Sequence, residues 1–298
     1  MTSPSRPRSI PRRAALRAGL RAAVLLPLAL PLAGISSFEA LFAPSAELWD
    51  RWQAHDPASG ETIDHAGWDR LLAAYLRPDG NGVHRFAYGE VGADDSAALD
   101  SYVNGLAALP ISRYNRREQF AYWANLYNAL TVKVILDHYP VESIRDIDIS
   151  PGLFADGPWG KTLVTIEGEA LSLNDIEHRI LRPIWNDPRI HYAVNCAAIG
   201  CPNLQDRAFT AGALEQQLDA AARAYVNDPR GVRVVDGKLV VSSIYVWFGE
   251  DFDGGGEGRI IAHLKRYAGD ELSAKLESIG EIDDHAYDWT LNDAASQL

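Results

Sequence analysis

His191, Cys196 and Cys201 are residues whose types and spacing could do chemistry. A cysteine attacks as its thiolate and needs a base within hydrogen-bond reach to take its proton. Arg189 to Cys196 alternates and is rich in β-formers, which predicts a strand. On that strand His191 and Asn195 share one face, while Ile190, Tyr192, Val194 and Cys196 share the other. His191 and Cys196 then point apart, and only a bulge or turn at Asn195 would bring them together. The two cysteines of the chain are separated by a short loop containing Gly200, which leaves room for a disulfide. Three readings stay open: a Cys196–Cys201 disulfide, a free catalytic thiol at either position, or an inert buried pair. Bond formation would remove the nucleophile, so the first two exclude each other in one redox state.

Other polar residues could complete such a site. Glu177, His178 and Arg182 fall on a short helix, His178 and Arg182 one turn apart. Glu177 or His178 beside His191 would serve as acid, base or ligand, while an acid near a helix start and Arg near its end also suit the helix dipole. Asn125 and Asn128 project from one face of a long apolar helix, where they either fix neighbouring loops or orient a substrate. Catalytic candidates are therefore His191, Cys196, Cys201, Asn125 and Glu177, and binding candidates are Asn128, His178, Arg182 and Asn195. No metal site is assigned, because His191 and the cysteines lack a second Cys or His pair at ligand spacing. Asp251-Phe252-Asp253-Gly254-Gly255-Gly256-Glu257 lacks the ligand spacing of a calcium loop and reads as a flexible turn. No phosphate-binding loop and no Gly-x-Ser-x-Gly elbow occurs, and no cofactor is expected.

The elements that must hold these residues are legible in the pattern. Helices are predicted near 63–76, 94–108, 116–138, 211–227 and 258–278, with a turn at Pro78-Asp79-Gly80-Asn81-Gly82. Residues 116–138 contain neither Gly nor Pro, and Pro140 stops them. Asn174-x-x-Glu177 reads as a capping box opening a helix that Pro183 closes. Hairpins are predicted across Glu167-Gly168 and Asp236-Gly237. Tyr287, Trp289 and Leu291 alternate and are expected to lock the chain end onto the core. Helices mixed with short hairpins, without βαβ alternation, indicate an α+β fold: a long helix packed on a small, mostly antiparallel sheet with further helices around it.

The first 36 residues carry Arg6, Arg8, Arg12, Arg13, Arg17 and Arg21 and no acid, followed by the apolar run Ala22 to Ala33. This is the layout of an export signal, and Arg12-Arg13 with Leu16 and Arg17 suits the twin-arginine route. The predicted organisation is an export signal over 1–36, an extension over 37–64 and one globular domain over 65–298. Removing six positive charges from the net charge of −12 leaves −18 on the mature chain. That charge argues against nucleic acid and leaves an envelope protein or peptide as partner class. A periplasmic or secreted location follows, with an uncleaved membrane tether as the alternative, and an oxidising compartment favours the disulfide.

Phe120-Ala121-Tyr122-Trp123-Ala124-Asn125-Leu126-Tyr127-Asn128, the run Leu171 to Arg182, Pro188 to Cys196 continuing through Gly200-Cys201-Pro202-Asn203, and Tyr287-Asp288-Trp289 together resemble the domain-of-unknown-function 547 family over residues 65–295. The resemblance implies an architecture and a set of positions, without an established reaction. A long helix facing a strand with an inward His also resembles papain-like and transglutaminase-like layouts. In those the helix supplies a Cys, whereas Asn125 stands here, so a thiol mechanism needs Cys196 or Cys201. For want of a complete catalytic set the residues favour a binding or assembly module. The alternatives are a Cys/His-dependent hydrolase or transferase acting on an envelope peptide-type substrate, and a metal-assisted hydrolase using His191, His178 and Glu177.

Overall fold

Two helices, Ala66–Tyr75 (α1) and Ala93–Ala107 (α2), flank a short antiparallel hairpin of Leu76–Pro78 (β1) and His84–Phe86 (β2). Asn115 then accepts the N–H groups of Arg117 and Glu118 at 3.1 Å each, opening the long helix Arg116–His138 (α3). This computed structural model describes Met1, residues 43–152 and residues 157–297; the expected export segment lies outside the described residues. Val164–Ile166 (β3) and Glu169–Leu171 (β4) form the first expected hairpin. Asp175–Leu181 and Arg182–Trp185 run on as one helical segment (α4), followed by the single turn Ile190–Ala193 (α5) and by Leu214–Val226 (α6). Val232–Val235 (β5) and Lys238–Ser242 (β6) form the second hairpin, and Ile244–Trp247 (α7) follows. Glu257–Tyr267 (α8), Asp270–Leu276 (α9) and Asp284–Ala286 (β7) complete the elements, β7 pairing in parallel with β6. Both hairpin turns hold positive φ, 45° and 89° at Glu167-Gly168 and 53° and 76° at Asp236-Gly237, as two-residue turns between twisted strands require.

The fold is α+β, with its strands divided among sheets of two, two and three strands. Residues 118–132 of α3 are all buried, so this helix is core on every side and packs against α2 and α4. Among the described residues no helix is long and apolar enough to cross a membrane.

Four local expectations are corrected. Arg189 to Cys196 is not a strand: Asp187 and Pro188 start a turn in which Ile190, His191 and Tyr192 donate N–H bonds to the carbonyls of Asp187, Pro188 and Arg189. The Asp187 carboxylate also accepts the Arg189 N–H at 2.9 Å, so local capping outweighs the alternating pattern. The cap of α4 is Ser172 with Asp175, whose side chains and N–H groups bond reciprocally, and Asn174 makes no capping bond. Pro183 does not close that helix. Asp175–Leu181 winds as a π-helix in which the Arg182 N–H reaches the Glu177 carbonyl, and the proline falls in the following α-turn. The last predicted helix is two, broken at Ala268-Gly269.

Two apolar clusters form the interior, one around α3 and one around Tyr225, Tyr245, Phe252 and Leu264. The turn α5 lies at their seam: Ile190 and Ala193 join the first cluster and Tyr192 the second. His191 is thereby fixed between two packed masses.

Candidate functional site

Arg189 anchors α5 by binding Asp187 at 2.6 Å, Glu215 at 2.8 Å and Asp219 at 2.9 Å, which ties the turn to α6. On this base His191, 3% exposed, directs Nε2 to Asp251 Oδ2 at 2.7 Å. Its ring stacks on Phe248 with centroids 4.7 Å apart and planes 10° apart, and on Phe252 at 5.5 Å. The carboxylate that receives it comes from the 3-10 turn Gly249–Asp251, within the segment read as a flexible turn. The same Oδ2 accepts Arg182 Nε at 2.6 Å. Burial alone would raise the Asp251 carboxyl, but His191 and Arg182 hold it well below the usual carboxylate range.

Arg182 also donates to the Pro44 carbonyl at 2.7 Å and lies 2.9 Å from His178 Nδ1. Because a guanidinium has only donors, His178 Nδ1 is the acceptor and its ring is neutral. Burial, with Arg182 and His191 alongside, pulls the His178 pKa down to about 4 despite the opposing charges of Glu177 and Asp251. Glu177 faces both rings: its Oε1 is 3.9 Å from His191 Nδ1 and 4.0 Å from His178 Nδ1. Its carboxylate also acts on the Tyr127 hydroxyl, whose pKa is driven far up first by burial and then by Glu177. Glu177, His178, Arg182 and His191 therefore converge, with Asp251 as the member that sequence reasoning missed.

The cysteines form a second group, around Tyr287. Both are free thiols here, in place of the expected disulfide, Cys196 partly exposed and Cys201 buried. The Tyr287 hydroxyl meets both sulfurs, at 3.1 Å and 3.0 Å, and the Cys196 N–H donates to the Cys201 sulfur at 3.0 Å. Bonding to Cys201 and then burial push the Cys196 thiol far up, with Glu177 adding to the rise. Glu177 therefore stands within electrostatic reach of both His191 and Cys196. Since α5 ends at Ala193, the opposite-face argument against a His191–Cys196 pairing no longer applies.

The three asparagines have main-chain partners. Asn125 donates to the Phe209 carbonyl at 2.8 Å and accepts its N–H at 2.9 Å. Asn128 donates to the Ala193 carbonyl and accepts the Asn195 N–H, both at 2.9 Å. Asn195 donates to the Pro202 carbonyl at 2.7 Å and accepts the Ala197 N–H at 2.8 Å. Asn125 thus pins a separate loop, whereas Asn128 and Asn195 shape the bend leading into Cys196.

Among the described residues no three His, Cys, Asp or Glu side chains form a group that could hold a metal ion. His178 Nδ1 faces Arg182 and His191 Nε2 faces Asp251, so only the other nitrogen of each ring could act as a ligand in the metal-assisted reading.

Two members of the site were missed. Asp251 falls in a glycine-rich run that reads as a turn, and its partner His191 lies 60 residues away. Tyr287 reads as part of a chain-end lock and of the tail stretch that resembles the family, and neither reading gives its hydroxyl a role.

Residues 111–226 match the family described as "Protein of unknown function, DUF547". This is a narrower span than the resemblance drawn from the motifs. It runs from before α3 to the end of α6 and includes every candidate named from the sequence, but neither Asp251 nor Tyr287. No curated protein and no solved structure matches the chain.

Proposed function

We infer that this chain, a member of the domain-of-unknown-function 547 family through residues 111–226, works as a thiol-dependent hydrolase or transferase. The observation that carries the reading is the pair of imidazoles facing Glu177, with His191 fixed by Asp251, in a chain whose two cysteines are free thiols joined through Tyr287. Cys196, the more exposed residue of the pair, is the nucleophile. Glu177 with His191 takes up and returns its proton, and Asp251 fixes the imidazole. Cys196 attacks an acyl carbonyl and forms a thioester, the leaving group departs with the proton, and water or an amine then releases the acyl group. The substrate class is a peptide-type acyl donor of the cell envelope, a setting supported by the arginine-rich start and by the charge of −18 left when that start is removed.

The test is acylation of the purified chain by an activated peptide ester, read as a mass increment mapped to a residue. An adduct on Cys196 that is lost in Cys196→Ser and slowed in Glu177→Gln and His191→Ala is expected. Turnover unaffected by Cys196→Ser overturns the reading. The location is tested separately by fractionating cells that carry the chain with Arg12→Lys and Arg13→Lys, which should retain it in the cytoplasm.

A second reading, a binding or assembly module, draws support from the asparagines, whose amides bond to the main chain at both ends. It predicts that His191→Ala alters stability or partner binding while no acyl adduct forms on the parent chain.

A further inference from the structure

The turn carrying the thiols is built to hold two unlinked sulfurs against one hydroxyl, that of Tyr287. Ala197 takes the left-handed conformation at φ 61°, and Asn195 ties both ends of the bend by bonding the Ala197 N–H and the Pro202 carbonyl. The Tyr225 hydroxyl donates to the Gly200 carbonyl at 2.6 Å, and Arg230 Nη1 donates to the Ile199 and Cys201 carbonyls at 2.9 Å and 3.2 Å. The C-terminal segment closes the far side, where Ile199 and Gly200 donate to the Thr290 and Asp288 carbonyls at 2.8 Å each. With the loop ordered by these bonds, both sulfurs reach the Tyr287 hydroxyl without a covalent link between them.

The surroundings of Cys201 suit a charged sulfur. Its sulfur accepts the Cys196 N–H at 3.0 Å, and the Tyr287 hydroxyl lies 3.0 Å away, placed to donate to a thiolate. Burial alone would push this thiol up, but bonds from Cys196, Tyr287 and the Ala198 N–H bring it below its ordinary value. A permanent disulfide carries no charge for such donors to stabilise; a thiolate does.

We propose that Cys196 and Cys201 form a reversible dithiol–disulfide exchange site, with Tyr287 as the residue that stabilises its reduced form. Its reaction partner is a small thiol disulfide, RSSR. The Cys196 sulfur passes its proton to the Cys201 thiolate and attacks RSSR, forming a Cys196–S–S–R bond and releasing RS⁻. Cys201 then gives its proton to that RS⁻ and attacks the Cys196 sulfur. This closes the Cys196–Cys201 bond and expels the second RS⁻, which takes a proton from solvent. The protein loses two electrons and RSSR gains them. The inference stands on the sulfur geometry and holds independently of acyl transfer; if both operate, closure withdraws the nucleophile.

The test equilibrates the purified chain in mixtures of reduced and oxidised glutathione, quenches with acid, alkylates free thiols and reads the mass. Both thiols should disappear together without a glutathione adduct and return on reduction. Cys201→Ser should hold a lasting adduct on Cys196. Tyr287→Phe, checked for folding by circular dichroism, should shift the midpoint about tenfold toward more reducing mixtures, as loss of a bond to a charged sulfur requires. Thiols that stay alkylatable throughout, a parent chain that stops at the Cys196 adduct, or a bond that persists in excess dithiothreitol overturns the reversible pair. A Tyr287→Phe midpoint equal to the parent overturns the role of Tyr287. Acyl labelling plays no part in this readout, so the two readings fail separately.

Discussion

His191 and Asp251 meet at 2.7 Å across the seam of two apolar clusters, on an oxygen that Arg182 also holds at 2.6 Å. The carboxylate therefore neutralises a guanidinium whose side chain is only 5% exposed and also orients the imidazole. Asp251→Ala should cost about 3–5 kcal/mol of folding stability, because it strands a buried cation. The double change Asp251→Ala with Arg182→Met should recover part of that loss. Urea unfolding of the two single variants and the double variant measures the coupling.

Acid should weaken the fold through His178. Burial holds its folded pKa at about 4 against an ordinary 6.5. Above pH 6.5 the ring is neutral in both states and contributes nothing. As pH falls from 6.5 towards 4, the unfolded chain takes up a proton that the folded chain refuses, so stability declines across that window. The loss approaches about 3 kcal/mol at pH 4. His178→Gln keeps an acceptor for Arg182 and removes the titration, so its unfolding midpoint should fall less steeply between pH 6.5 and 4.

How far the site was legible follows from what each residue depends on. The long helix and both hairpins depend on local pattern, and Arg116–His138 lies where the absence of Gly and Pro put it. His191, Glu177, His178 and Arg182 were legible as candidates by residue type. Their geometry was misread because Asp187 and Pro188 impose a helical turn on a segment with strand-like alternation. The π-winding of Asp175–Leu181, which brings the Arg182 N–H to the Glu177 carbonyl, has no periodic signature in so short a run. Asp251 and Tyr287 depend on contacts 60 and 91 residues distant, and no local rule reaches that far.

Asn125 and Asn128 should separate in their effects although both are buried on one helix. Each satisfies a main-chain N–H and carbonyl pair, so replacing either with Ala should cost about 2–4 kcal/mol. Asn128 holds Ala193 and Asn195, next to Cys196, whereas Asn125 holds Phe209. Asn128→Ala should therefore speed alkylation of Cys196, and Asn125→Ala should leave that rate near the parent value. Denaturant titration with timed alkylation gives both quantities.

Gly200 sets the contact between the thiol turn and the chain end. A methyl there would lie 2.8 Å from the Asp288 nitrogen, 3.0 Å from its carbonyl oxygen and 3.0 Å from Tyr287 Cδ1. Two of those neighbours are backbone, so the segment carrying Tyr287 must move. Its hydroxyl would then leave the sulfurs it meets at 3.1 Å and 3.0 Å. Gly200→Ala should cost about 1–3 kcal/mol from overpacking. It should also speed alkylation of Cys201, which the chain end helps to cover. Gly212→Ala is the matched control, with nothing within 4 Å of the added methyl, and should stay within about 0.5 kcal/mol of the parent with unchanged thiol rates. Equal destabilisation in the two variants, or unchanged Cys201 reactivity in Gly200→Ala, would show that the chain end does not control access to the thiols.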